Sequence, residues 1–293
     1  MKKTIFAILW CVCAVMPLAA QTAAPEGAER KRDSAQPQEM ASVPAGKFWM
    51  GRVYAYDLYS VDVVARDRYD DVPANHVYLD AFYIDKYEVT NADYAKFLET
   101  THGKAPWHWP EGQVPVGQER YPVYNVNWYE AGDYCKAAGK RLPTEAEWEK
   151  ALRGGADRET FAWGDDKFDN SEPQMLAVGP DPKHNPKPVP AVLGRNDAVK
   201  VGSFPPNAYG LYDMVGSVTE WTSDWFDPDY YRFMPKVNPK GPETGKYRSV
   251  RGSNWANTAG GSSASEKVRS YFRNFADPDA RSITLGLRCA KSL

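Results

Sequence analysis

Three short segments of the chain carry a helix start signal, and two of them also carry a helix stop signal. The segment "VTNADYAKFLET" contains the N-cap residue Thr90, and "NWYEAGDYCKAAGK" runs from the N-cap Asn127 to a stop at Gly139. In "LPTEAEWEKALRGG", Thr144 and Glu147 have the spacing of a capping box, and two glycines end the segment. We therefore predict three short helices, which excludes a long-helix bundle.

The segment "HVYLDAFYIDKYEV" alternates apolar and polar residues and predicts strands. Aromatic residues make up 13% of the chain, which also contains 22 Gly and 23 Pro, and this composition favours a fold rich in turns and irregular backbone. No linker divides residues 42–293. We predict a single α+β domain over that range.

The N-terminus has the pattern of an export signal. Two lysines precede the apolar run "TIFAILWCVCAVMPLAA", which is too short for a confident membrane span. We predict a signal peptide over residues 1–20 and a disordered tether over residues 21–41. The mature protein is then secreted or periplasmic and has no membrane span; a lipid anchor is the alternative.

The net charge bears on which partners the protein can bind, and the cysteine content bears on the compartment in which it folds. The formal net charge of −2 gives no basic field for nucleic acid. Signal cleavage removes two of the four cysteines and leaves Cys135 and Cys289. In an oxidising compartment such a pair is most simply a disulfide, and two unrelated buried thiols are the alternative.

Familiar catalytic motifs are missing from the sequence, which has no phosphate-binding loop, dinucleotide fingerprint, nucleophile elbow or zinc-protease motif. His108, flanked by two Trp in "WHWPEG", could line a pocket or simply pack in a loop. In "YGLYDMVGSVTEWTSDW", Asp213 and Glu220 flank Gly216. Carboxylates with carbonyls between them suit calcium, although solvated acids in a turn would look the same.

Eight segments match one family in order: "VPAGKFWMG", "YIDKYEVTNADYAKF", "YPVYNVNWYEAGDYCKAAGKRLPTEAEWEKALRGG", "FAWGDD", "VGSFPPNAYGLYDMVGSVTEWTSDW", "NPKG", "VRGSNW" and "LGLRCA". From Val43 to Ala290 the chain closely resembles the formylglycine-generating enzyme (sulfatase-modifying factor) family. The resemblance implies a C-type-lectin-like α+β fold with little regular secondary structure.

The resemblance also implies structural calcium and a Cys135–Cys289 disulfide. The implied calcium ligands are the side chains of Asp213 and Glu220 and the carbonyls of Gly216 and Val218. A second calcium site has weaker candidates in Asn170 and Asp197.

Copper is not expected. Formylglycine-generating enzymes bind copper through two cysteines after the "GGS" motif, and "RGSNWANTAGGSSASEKVRS" contains none. Copper(I) needs soft thiolate ligands, which Ser and Ala cannot replace. Formylglycine synthesis by the family's route is therefore not expected.

Two functions remain open. The first is an exported enzyme-like protein with altered or lost oxidase activity that acts on, or assists maturation of, a periplasmic substrate, as in siderophore maturation or alongside nitrite reductase. Its catalytic residues are unknown, with Glu266 and Tyr271 as candidate bases. Its predicted pocket consists of Ser253, Asn254, Trp255, Arg269, Arg273 and Trp221. The alternative is a non-catalytic, calcium-stabilised, lectin-like module that binds a peptide, protein or glycan. The partner, a periplasmic or extracellular protein, peptide or small molecule, is unidentified.

Overall fold

The three predicted helices are present, each with its predicted N-cap. The computed structural model describes residues 39–53, 70–162, 191–192, 198–256 and 267–293. Its helices are α1 (Asn91–Thr101), α2 (Trp128–Ala137) and α3 (Glu145–Arg153), with short 3-10 turns at Pro110–Gly112 and Tyr230–Arg232. The N-caps are Thr90, Asn127 and Thr144, and the last two form complete capping boxes.

Eleven short strands are assigned in the described ranges. They are β1 (Met40–Val43), β2 (Gly46–Met50), β3 (Asn75–Leu79), β4 (Phe82–Asp85), β5 (Ala191–Val192), β6 (Val215–Gly216), β7 (Thr219–Phe226), β8 (Tyr247–Arg251), β9 (Asn274–Ala276), β10 (Leu285–Gly286) and β11 (Ala290–Ser292). The predicted strands in "HVYLDAFYIDKYEV" correspond to β3 and β4.

The strands form four small sheets. The order is β1-β4-β11 in one sheet and β10-β7-β8-β9 in the largest, and β2-β3 and β5-β6 form two-stranded sheets. Strand β10 runs parallel to β7, whereas β7 pairs antiparallel with β8 and β8 with β9. The α+β prediction is confirmed.

Residues 38–293 form one compact unit. Strand β1 begins at Met40, two residues before the predicted start of the domain at Ser42, and pairs with β4. Ala41 on this strand is buried in the core. Residues 1–38 lie outside the described residues, so the signal peptide and most of the tether stay predictions.

Helix α3 crosses the interior, and all nine of its residues are buried. Five of the nine are charged, so each must find a partner inside the protein. Glu145 pairs with Arg273 and Glu149 with Arg153, while Lys150 donates to the carbonyls of residues 44 and 46. The helix is therefore held by specific polar contacts as well as by its apolar side chains.

Cys135 and Cys289 form a disulfide, with an S–S distance of 2.02 Å. It joins α2 to the segment before β11 in a core that also contains Trp221. The predicted pairing is confirmed, and the alternative of two buried thiols is excluded. No helix in the described ranges has the length and apolar character needed to cross a membrane.

Candidate functional site

The segment from Asp213 to Glu220 curls tightly before it enters β7. Asp213, Gly216 and Ser217 have φ angles of 55°, 86° and 56°, all in the left-handed region. Glycine adopts this conformation without strain, whereas aspartate and serine need support from their surroundings. The backbone between the two predicted calcium-binding acids is therefore bent, as the sequence predicts.

Both predicted acidic ligands are buried, each 1% exposed. Asp213 Oδ2 accepts a hydrogen bond from the backbone N–H of Gly202 over 2.6 Å. Its Oδ1 has no hydrogen-bond partner in the described part of the chain. Such an oxygen is costly to bury unless something else satisfies it.

Glu220 is bound on both oxygens. Arg288 Nε lies 2.9 Å from Oε1 and 2.8 Å from Oε2, and Trp148 Nε1 donates to Oε2 over 2.7 Å. Arg288 is fully buried and also donates to the carbonyl of Tyr212 beside Asp213. The ion pair therefore fixes the end of the segment.

A third carboxylate, Glu88, faces the same segment and is fully buried. Its Oε2 accepts from Ser217 Oγ over 2.8 Å, and its Oε1 accepts from the backbone N–H of Val218 over 3.1 Å. No role was predicted for Glu88 or Arg288. Both lie inside the quoted motifs, "YIDKYEVTNADYAKF" and "LGLRCA", which were the available signal.

Burial shifts the pKa of two of these three carboxyl groups. Burial raises the pKa of Asp213 to about 6, an effect that Glu220 reinforces and that the Gly202 N–H and Arg288 oppose. Burial, Asp213 and Glu220 raise the pKa of Glu88 well above its usual value, again against Arg288.

These features fit a hard divalent cation. In the described ranges no three His, Cys, Asp or Glu side chains form a metal-binding group. The predicted set requires only two such side chains, those of Asp213 and Glu220, with the carbonyls of Gly216 and Val218. The unsatisfied, buried Asp213 Oδ1 suits calcium, which binds oxygen ligands. Asn170 and Asp197, the second predicted pair, lie outside the described residues.

The first three predicted pocket residues lie directly against this segment. Ser253 Oγ accepts from the N–H of Gly216 over 3.0 Å, and Asn254 Nδ2 donates to Thr219 Oγ1 over 3.1 Å. The N–H of Trp255 donates to the carbonyl of Ser217 over 2.9 Å. The "RGSNW" stretch and the predicted calcium segment are therefore one connected structure.

Two other predicted pocket residues belong to the interior. Trp221 is 0% exposed, and its Nε1 donates to the carbonyl of Val126. Arg273 is buried with its guanidinium on Glu145 at 2.7 Å. Placing them in an open pocket was wrong, because β7 is buried along most of its length and α3 needs a cation for Glu145.

The three remaining candidate residues differ in their exposure. Arg269 is half-buried, and its backbone forms a bridge with Phe161. Tyr271 is 3% exposed, with the Arg52 guanidinium 5.3 Å from its ring centre. Tyr271 is therefore a packed aromatic residue, and its burial does not favour the candidate role of a base that contacts a substrate. Glu266 lies outside the described residues.

His108 is packed against neighbouring side chains. Its ring stacks on Tyr124 with centres 4.1 Å apart, and its Nδ1 lies 3.1 Å from Asn125 Nδ2. This arrangement agrees with the packing alternative for "WHWPEG".

Comparison with known proteins identifies relatives of the same family that the motifs indicate. The chain is 33% identical to a formylglycine-generating enzyme of Streptomyces coelicolor over 94% of this chain and 95% of the relative. It is 32% identical to the mouse protein "Inactive C-alpha-formylglycine-generating enzyme 2" over 88% of this chain and 87% of that one. Among solved structures, PvdO from Pseudomonas aeruginosa has a TM-score of 0.64 and 27% identity, covering 89% of this chain and 97% of PvdO. Residues 25–293 match the sulfatase-modifying factor enzyme 1-like domain, and the chain therefore belongs to the formylglycine-generating enzyme family.

Proposed function

We propose that this protein is an exported member of the family whose oxidase activity is altered or lost. It acts on a periplasmic substrate or assists the maturation of one, of the siderophore-maturation or nitrite-reductase-accessory type. Calcium serves it as a structural ion, held by Asp213, Gly216, Val218 and Glu220.

The use of the cysteines carries this proposal. Cys135 and Cys289 are joined in a buried disulfide, and the sequence has no cysteine between them. The stretch after "RGS" thus offers no thiolate to copper(I). The domain keeps the family's framework there, because Ser253 and Trp255 bind the backbone of residues 216 and 217. The backbone contacts of this stretch are present, but the thiolates that would bind copper are not. This combination supports a function other than copper-dependent oxidation.

The relatives are compatible with such a change. One mouse relative of similar length carries the word inactive in its name, so the family includes proteins named as lacking the activity. PvdO shares most of its length with this chain at 27% identity. We take these similarities as support for a specialised function in place of formylglycine synthesis.

The test compares this protein with the Streptomyces coelicolor enzyme. Both are supplied with copper(I), oxygen and a cysteine peptide that the Streptomyces enzyme converts, and oxygen uptake and peptide mass are recorded. We expect conversion by the Streptomyces enzyme and none by this protein. Conversion of the cysteine to an aldehyde by this protein would overturn the proposal.

Export needs its own test. The protein is expressed from its full sequence in a Gram-negative host, and the N-terminus of the material in the periplasmic fraction is sequenced. We expect it to begin near residue 21. An uncleaved protein confined to the cytoplasm would contradict export.

A second candidate is the non-catalytic binding module. The burial of Tyr271 favours it, because this removes one of the two predicted bases from contact with a substrate. Elemental analysis and oxygen uptake separate the two functions. Calcium without a redox metal or oxygen uptake, together with saturable binding of a peptide or glycan, supports the module. A stoichiometric redox metal supports an enzyme.

A further inference from the structure

We propose that Glu88 is a positioning residue that holds the calcium-binding segment in its binding shape. This inference rests on the calcium site proposed above. Glu88 is separated from that segment by more than 120 residues in sequence, since its contact with Ser217 spans 129 positions.

The first argument is geometric. A peptide group is planar, so fixing its N–H and its C=O fixes the whole unit. In the peptide between Ser217 and Val218, the N–H donates to Glu88 Oε1 over 3.1 Å and the C=O accepts from the Trp255 N–H over 2.9 Å. This peptide is therefore held from both sides.

The two carbonyls predicted to bind calcium flank the fixed peptide. Gly216 precedes it and Val218 follows it. Ser217 has a φ of 56°, which costs energy for a residue with a Cβ, and Glu88 offsets that cost by accepting from the Ser217 hydroxyl. Glu88 thus supports the one strained residue between the two carbonyls.

The second argument concerns hydrogen-bond acceptors. Glu88 is fully buried, and its two oxygens accept from different donors of the segment, Oε2 from the Ser217 hydroxyl and Oε1 from the Val218 N–H. A carboxyl group can accept on both oxygens, whereas a side-chain amide has a single acceptor oxygen. Replacing Glu88 by glutamine therefore releases one of the two contacts without changing the size of the side chain.

The test measures calcium affinity and melting temperature at pH 7.5 for the wild type, Glu88→Gln and Ser217→Ala. Glu99→Gln, the same exchange at an exposed position on α1, is the matched control. Affinity is measured by titration calorimetry with calcium chloride after removal of bound metal. Melting temperatures are recorded in excess calcium and in chelator, and circular dichroism checks the fold of each variant.

We expect Glu88→Gln to weaken calcium binding by about 10–100-fold, as is usual for residues that orient metal ligands. It melts below the wild type, and the fall is larger in calcium than in chelator, because the contact that it loses holds the segment in the shape that binds the ion. Ser217→Ala loses one contact of Glu88 and binds calcium more weakly than the wild type but more tightly than Glu88→Gln. Glu99→Gln behaves as the wild type.

Three results overturn the inference. One is wild-type affinity in Glu88→Gln. Another is an equal fall in its melting temperature with and without calcium, which marks a purely structural role. If Glu88→Gln does not fold, wild-type affinity in Ser217→Ala has the same meaning. Absence of calcium binding in the wild type itself refutes the calcium site, and this result is distinct from the others.

Discussion

Arg251 on β8 and Glu149 on α3 form a fully buried ion pair, with Arg251 Nη2 2.8 Å from Glu149 Oε2. The same guanidinium lies 3.3 Å from Glu145, one turn earlier on the helix, and donates to the carbonyl of Ser270. Arg251 therefore ties the largest sheet to the central helix and to the segment before β9.

Replacing Arg251 by methionine should destabilise the protein by about 3–5 kcal/mol, because the change leaves buried carboxylates short of a cation. Arg232→Met is the control, since the Arg232–Asp229 pair is exposed, with 62% and 58% of its side chains accessible. That change should cost less than about 1 kcal/mol. Urea unfolding of both variants measures the difference, and equal effects would contradict the assigned role of Arg251.

Asp224 on β7 makes the stability of the protein depend on pH. Its Oδ2 accepts from the N–H of Glu145, the first residue of α3, over 2.9 Å. Burial raises its pKa from 3.8 to about 7, helped by the charges of Glu145 and Glu147 and opposed by the backbone and Ser223 hydrogen bonds. The folded state therefore holds this proton more tightly than the unfolded chain does.

The sign of the effect follows from linkage. Between about pH 4 and pH 7 the contribution of Asp224 to stability falls as pH rises, and above pH 7 the loss is complete. Asp224→Asn cannot ionise, and its carbonyl can still accept the same hydrogen bonds. Relative to the wild type, the free energy of unfolding of the variant should rise between pH 4.5 and pH 8 by on the order of a few kcal/mol. Urea unfolding at both pH values measures this gain, and a constant difference would refute it.

Calcium removal should lower the melting temperature of the wild type. Asp213→Ala should abolish this calcium dependence, because it removes the buried side chain whose Oδ1 has no partner in the described ranges. Glu220→Ala is a poorer test, since it also leaves Arg288 without its carboxylate. Exposed Asp279→Ala is the control and should keep the wild-type response. Identical melting of the wild type with and without chelator would count against the site.

Loss of the disulfide should be costly. A Cys135→Ser/Cys289→Ser variant is expected to lose about 2–5 kcal/mol, the usual effect of removing a native disulfide. Thiol titration of the denatured protein without residues 1–20, the predicted signal peptide that contains the other two cysteines, should find no free thiol. Two reactive thiols in this protein would contradict the bridge.

The parts of the fold that the sequence predicted are those set by neighbouring residues. The caps Thr90, Asn127 and Thr144 satisfy backbone donors within three residues, so their signal is local. Strand β7 was not predicted, because its first four residues are all buried and show no alternation. A strand that is buried on both faces does not show the alternation of apolar and polar residues by which strands are recognised in a sequence.

The candidate calcium ligands were proposed from the sequence for the same local reason. Asp213 and Glu220 share one motif, and the structure places both in the interior beside a bent backbone. Glu88 and Arg288 reach this segment from 130 and 68 positions away, and no periodicity links such distant residues. Trp221 was placed in a pocket because an aromatic residue near a polar stretch resembles a binding surface, whereas its environment is decided by packing across β7.

The segment 285–292 takes part in contacts throughout the domain. It supplies β10 beside β7, Arg288 on Glu220, Cys289 in the disulfide and β11 beside β4. A nascent chain that has not yet reached residue 285 therefore lacks two strands, a buried cation and its covalent cross-link. The domain therefore cannot reach its complete fold until residues 285–292 have been synthesised.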